Sequence, residues 1–141
     1  MRRAAATALL LFLACRQKDP IGAVIHDVAK AAEDRDAGAV VEQLAASYAD
    51  ANGGRAEAEQ TLRRYFFGYR SINVSISDLQ TFDNGPAAAQ ARFVVRFIGV
   101  PKEIGGLDQI LPSSATYHFE VWLAKENGDW KITNAQWHPE S

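Results

Sequence analysis

The sequence predicts a single α+β domain, three N-terminal helices followed by an antiparallel sheet of about four strands, on three observations. Between residues 20 and 72 apolar side chains recur at helical spacing; from Ile72 onward they alternate with polar ones; and Asn127-Gly128, between two alternating runs, is a two-residue hairpin signal. Helices first and strands afterwards, rather than in alternation, place the helices on one apolar face of an antiparallel meander. A chain of 141 residues, 48% of them apolar, encloses a core without disulfides.

Asp19-Pro20 starts the first helix, because an Asp N-cap accepts from orphan amides and proline at the first position has no amide to leave unpaired. Ile21, Val24, Ile25, Val28 and Ala32 form its apolar stripe. Arg35-Asp36 offers a second cap, after which Val40, Val41, Leu44 and Tyr48 mark a shorter helix that Asn52-Gly53-Gly54 ends. The third helix carries Leu62, Tyr65, Phe66, Tyr69 and Ile72 on one face, opposite Glu59, Arg63, Arg64 and Arg70.

In the first strand Ile72, Val74 and Ile76 alternate with Asn73, Ser75 and Ser77 before the turn Asp83-Asn84-Gly85. The second carries Ala89, Ala91, Phe93, Val95 and Phe97 on one parity, and the third Tyr117, Phe119, Val121 and Leu123. An Asn127-Gly128 turn sets Leu123 opposite Ile132, Val121 opposite Asn134, Phe119 opposite Gln136 and His118 opposite Trp137. A bulge near Thr133-Asn134 would send every later residue to the other face. Between strands, residues 99–114 form a long connection in which Leu107, Ile110 and Leu111 have the spacing of a short amphipathic turn.

The first residues have their own logic. Arg2 and Arg3 precede an uncharged run from Ala4 to Ala14, and the single cysteine, Cys15, follows at once. Eleven helical residues reach about 16 Å, half a bilayer's hydrocarbon core, so the run directs export rather than spanning a membrane. A lone thiol in an oxidising compartment lacks an internal partner, and thioether formation would cap it. Net charge is −2 for the whole chain and more negative without Arg2 and Arg3, which excludes nucleic acid as a partner. Leu11-Phe12-Leu13-Ala14-Cys15 resembles the bacterial lipoprotein box, with Phe12 where leucine is usual. The expected organisation is a signal peptide over residues 1–14, a lipidated Cys15 with a tether to residue 19, and a domain over residues 20–141. Arg16 after the cysteine favours the periplasmic face of the outer membrane, by resemblance to bacterial sorting signals.

The order of elements, the segment RDAGAVVEQLAASYAD, the aromatic LRRYFFGY, the turn and strand DNGPAAAQARFVV and the closing NGDWKITNAQW resemble the nuclear transport factor 2-like superfamily, and within it the SnoaL-like, often lipid-anchored bacterial members. The resemblance implies a curved sheet cupping the helices as a cystatin-like cone around a pocket. It does not select a chemistry, since such proteins include isomerases, dehydratases and non-catalytic binding modules. Candidate pocket residues are Tyr48, Tyr65, Tyr69, Phe93, Phe97, Tyr117, Phe119 and, in a hairpin without a bulge, Asn134 and Gln136.

No carboxylate shares parity with the apolar strand faces, and Asn or Gln cannot act as a general base. The leading expectation is therefore a non-catalytic, lipid-anchored envelope protein that binds a small apolar or lipid-like molecule, with no cofactor and no metal. A SnoaL-like isomerase or lyase is the alternative, using a tyrosine donor and a base such as Asp78 if the first strand bulges inward. A homodimeric interaction module is the third reading, through an outer sheet face bearing Val94, Ile98, Trp122 and Trp137. His26 lies off its helix's apolar stripe, His118 on the outer face and His138 near the chain end, with no further ligands spaced to join them.

Overall fold

A computed structural model describes residues 19–141, so the expectations for the signal segment and Cys15 lie outside the described residues. Helix α1 spans Pro20–Glu33; Asp19 Oδ1 accepts from the Ile21 amide at 3.1 Å, and Pro20 occupies the first helical position. Its stripe of Ile21, Val24 and Ile25 is buried. Arg35 then takes a positive φ of 54° and its Nη1 donates to the Tyr69 carbonyl at 2.8 Å, tying the end of α1 to the sheet.

Helix α2 is only Ala37–Glu42, capped by Asp36 Oδ1 accepting from the Ala39 amide at 3.0 Å. The expected continuation of this helix through Leu44 and Tyr48 is corrected: Leu44–Asp50 is a strand, β1. Residues four apart share a face in a helix and in a strand, so the Leu44–Tyr48 spacing fits both. Pairing decided between them, because β1 lies parallel to the last strand with Leu44 opposite Ile132 and Ala49 opposite Asn134. Gly53–Gly54 forms β2, folded back antiparallel on Ala49 and Asp50.

Helix α3 runs Arg55–Phe67 and stops at Gly68, so Tyr69, expected on that helix, belongs instead to β3, Tyr69–Asp83, and Ile72, expected both at the helix end and at the strand start, lies in the strand. A Cβ on Gly68 would collide with Leu111 Cδ1, so the long connection packs directly on the helix end. Strands β4 (Ala88–Pro101), β5 (Ser114–Glu126) and β6 (Asp129–Pro139) follow, with a one-turn helix α4 (Leu107–Ile110) between β4 and β5. The sheet has six strands in the order β2-β1-β6-β5-β4-β3, two more than expected because β1 was hidden in a helical pattern and β2 in the Asn52-Gly53-Gly54 turn.

Register shifts curve the sheet, and two of them bear on the cavity. In β3 the register slips between Ser77 and Gln80, where Asp78 has a φ of 53°. In the β5–β6 hairpin Leu123 faces Ile132 as expected, but Trp122 faces Asn134, which leaves Thr133 as the extra residue, its Oγ1 donating to the Trp122 carbonyl at 3.2 Å. From there on Val121 meets Ala135, Phe119 meets Trp137 and His118 meets His138, replacing the pairs predicted for an unbulged hairpin. The helices cover the concave face. One core cluster joins Ile21, Val24, Leu44, Ala91, Val121 and Leu123, and another joins Val40, Phe66, Tyr69 and Ile72.

Candidate functional site

Between the concave face, α1 and α3 lies a cavity of about 410 Å³. Helical periodicity supplies one wall, since Glu57, Ala58, Thr61, Leu62, Tyr65 and Phe66 form a single stripe of α3. Strand alternation supplies the other, with Ile72, Val74 and Ile76 of β3, Phe93, Val95 and Phe97 of β4, and Tyr117, Phe119 and Val121 of β5. Three rings stack across β4, β5 and β6, Phe93 on Phe119 at 5.4 Å and Phe119 on Trp137 at 5.7 Å between centroids. The floor is buried, at Ile25, Leu44, Phe93 and Ile132. The rim is exposed: Asn52, Glu57, Thr61, Tyr65 and Trp137, the last two each 41% accessible.

Of the expected pocket residues, Tyr48, Tyr65, Phe93, Phe97, Tyr117 and Phe119 line this cavity. Tyr69 does not. It is fully buried behind the wall, with its ring 5.1 Å from Phe97 and its hydroxyl donating to the Pro112 carbonyl at 2.8 Å, because its place at the start of β3 turns it into the core. Asn134 and Gln136 are also corrected, since Thr133 shifts the parity of β6 and puts Ala135 and Trp137 on the cavity side in their stead. For the same reason Trp137 leaves the proposed outer face. Val94, Ile98 and Trp122 remain on that convex side, interspersed with Arg92, whose Nε lies 3.6 Å from Glu120, and with Gln90, which donates to the same carboxylate. His118 and His138 stack there at 5.2 Å.

The sequence reading missed the polar end of the cavity. Tyr48 Oη donates to Asp50 Oδ2 at 2.5 Å, and Asp50 Oδ1 accepts from the Asn52 amide at 2.7 Å. Glu57 Oε2 accepts from the Gly54 amide at 3.1 Å, which holds that carboxylate at the helix start. Residues two apart lie about 200° apart on a helix but on the same side of a strand, so Tyr48 and Asp50 converge only once β1 is recognised. Asp78, the base suggested for the alternative enzyme reading, sits in a bulge but is exposed and does not line the cavity.

Burial raises the pKa of three phenols. For Tyr48 desolvation acts first, then the hydrogen bond to Asp50 and that group's negative charge, all of which favour the protonated hydroxyl. Desolvation pushes Tyr69 up to about 12, helped by Tyr65 and Tyr117 nearby. Tyr117 is raised by desolvation and then by Tyr65. The Tyr65 and Tyr69 rings stack at 6.0 Å, so Tyr65 and Tyr117 line the cavity where Tyr69 backs its wall, and the Tyr48–Asp50 pair marks another part of that wall.

A second depression, of about 620 Å³ and lined by Asp34, Arg35, Asp36, Arg63 and Lys102, is an open groove with charges of both signs. Among the described residues no three His, Cys, Asp or Glu side chains come together as a metal site, and no helix is long and apolar enough to cross a membrane.

No protein-family model matches the sequence, and no curated protein matches it. Solved structures do. A nuclear transport factor 2-like superfamily protein from Salmonella enterica superposes with a TM-score of 0.70 at 17% identity, covering 86% of this chain and 89% of that one. A protein provisionally assigned as a dehydratase of the NTF2-like family, from Streptomyces avermitilis, gives a TM-score of 0.73 at 12% identity over 86% of this chain and 95% of its own. The LinA-type3 hexachlorocyclohexane dehydrochlorinase of Novosphingobium barchaimii gives 0.69 at 11% identity over 99% and 89%. Such identities speak to architecture and leave chemistry open. Helices on the concave side of a bulged six-stranded sheet, matched over most of the chain by these structures, give this protein the nuclear transport factor 2-like fold.

Proposed function

We propose that this chain is a cell-envelope lipoprotein whose domain binds a small apolar molecule in the cavity between α3 and the sheet. One observation carries the binding half: a half-enclosed space of about 410 Å³, walled by aliphatic and aromatic side chains and opening through an exposed aromatic rim. That is the size and lining of a small-molecule site rather than a packing defect. The anchoring half rests on Leu11–Cys15 and its resemblance to the lipoprotein box.

The test is native mass spectrometry of the full chain purified from bacterial membranes, with Cys15→Ala alongside. An N-terminal acyl mass lost in the variant, and a non-covalent adduct or uptake of an added apolar probe such as 1-naphthalenemethanol, is the expected result. An unmodified wild-type N-terminus would remove the anchor; a domain that neither carries nor takes up an apolar molecule would remove the pocket.

The Tyr48–Asp50 contact favours a second reading, a lyase or isomerase. Asp50 would take a proton from a carbon acid in the cavity, and a phenol such as Tyr117 would donate to the oxygen on which charge collects. Two of the structural neighbours bear names of elimination enzymes, one a dehydratase and one a dehydrochlorinase. Deuterium appearing at a ligand carbon in heavy water with wild type, and not with Asp50→Asn, would favour catalysis over binding alone.

A further inference from the structure

We infer that the cavity selects its ligand by charge, taking an organic cation or a neutral molecule and rejecting apolar anions such as fatty acids. This rests on the binding reading above and adds the chemical class of what is bound. Among the described residues that line the cavity there is no Lys, Arg or His, whereas Asp50 and Glu57 both stand in its wall. The ion pairs among the described residues involve neither of them. Arg55, close by at the start of α3, is turned away, with Nε and Nη2 donating to the Val41 carbonyl at 3.2 and 3.0 Å.

Local bonds orient the two carboxylates. Asp50 is held by Tyr48 and Asn52, and Glu57 by the Gly54 amide, so neither has to give up rotamer freedom when a ligand arrives. The rim adds ring faces of the same sign, since the π-cloud of an aromatic ring is its negative face and Tyr65 and Trp137 are the exposed aromatic residues of the lining. A cationic head on an apolar body would place the body against Phe93 and Phe119 and the head between rings and carboxylates. An anionic head in the same position would face like charge in a cleft with low-dielectric walls and no hydrogen-bonded cation to receive it.

Three probes with one skeleton separate charge from shape: 1-naphthalenemethylamine, 1-naphthalenemethanol and 1-naphthaleneacetate, titrated calorimetrically into the full chain at neutral pH and low salt. The ammonium should bind at least about tenfold tighter than the acetate, with the alcohol between, and added salt should narrow the spread. In the double variant Asp50→Asn, Glu57→Gln the ratio of ammonium to alcohol affinity should fall to within about twofold, the alcohol serving as the control for an intact cavity. Acetate binding as tightly as the ammonium would overturn the inference and leave the pocket standing. So would a ratio that survives both substitutions, because the selectivity would then come from the chain's overall charge. Failure of all three probes to bind would overturn the pocket and the inference together.

Discussion

Gly99 in β4 shows how closely the cavity wall is packed, and Gly99→Ala should damage fold and cavity together. A Cβ there would lie 2.7 Å from two Tyr69 ring atoms and 2.8 Å from Phe97 Cζ, well inside van der Waals contact. Neither ring has an easy retreat. Tyr69 is fully buried and bonded to the Pro112 carbonyl, while Phe97 meets Tyr69 edge-on and can move only into the cavity it lines. Overpacking of this kind costs about 1–3 kcal/mol, and two rigid rings place this site in the upper half, about 2–3 kcal/mol. For a domain of this size that is a fall in Tm of about 8–12 °C, at about 4 °C per kcal/mol. Calorimetric or circular-dichroism melting measures it, and Gly99→Ala, Phe97→Leu should recover part of the loss, a coupling expected only of residues in contact. The single variant should also bind 1-naphthalenemethanol more weakly. A Tm within about 1 °C of wild type, or strictly additive single effects, would refute the packing argument.

Tyr69 titrates near 10 when unfolded and is pushed to about 12 in the fold, so the folded chain keeps a proton that the unfolded chain has lost. Its contribution is complete below pH 10 and is lost as pH rises toward about 12; in Tyr69→Phe, denaturant titrations should fall less steeply over that window. An identical slope in the variant would contradict the burial assigned to this phenol. Below pH 9 the same substitution should cost about 1 kcal/mol, from the hydrogen bond to Pro112. Deleting Thr133 should restore regular alternation in β6, swing Asn134 and Gln136 inward and turn Trp137 out, at about 1–3 kcal/mol for each amide left unpaired. Thr133→Val, which keeps the residue count, should cost only about 1 kcal/mol; acrylamide quenching of Trp137, with Trp122 and Trp130 replaced by Phe, would distinguish the two. Equal quenching in wild type and the deletion variant would show that the bulge does not set which face Trp137 occupies.

Local chemistry made much of the fold legible. Asp19-Pro20 and Asp36 cap helices because short carboxylates reach orphan amides from those positions whatever the rest of the chain does. Asn127-Gly128 turns the last hairpin because both residues accept positive φ, which they take at 53° and 86°. The alternation in β3, β4 and β5 placed Phe93, Phe97, Tyr117 and Phe119 on the concave face, since a one-sided sheet writes its burial into every second residue.

The polar part of the site was not legible, and the reason is specific. Leu-Ala-Ala-Ser-Tyr has helical propensity, and only the parallel partner supplied by β6, some ninety residues later, makes it a strand. With the wrong period assigned, Asp50 fell on the far side of the chain from Tyr48 and the acid at the cavity went unseen. The bulge at Thr133 acted in the same way on Asn134, Gln136 and Trp137: one inserted residue inverts parity, and no side chain announces it.

Residue order alone determined which segments are amphipathic, where the first two helices begin and which face of three strands is apolar, because each is a short-range property of neighbouring side chains. Tertiary structure alone decided that residues 44–50 pair as a strand, that Thr133 bulges, and that Tyr48, Asp50 and Glu57 look into one cavity. Those outcomes depend on partners far away in the chain, and the free energy of such pairing outweighs a local preference of a few tenths of a kcal/mol per residue.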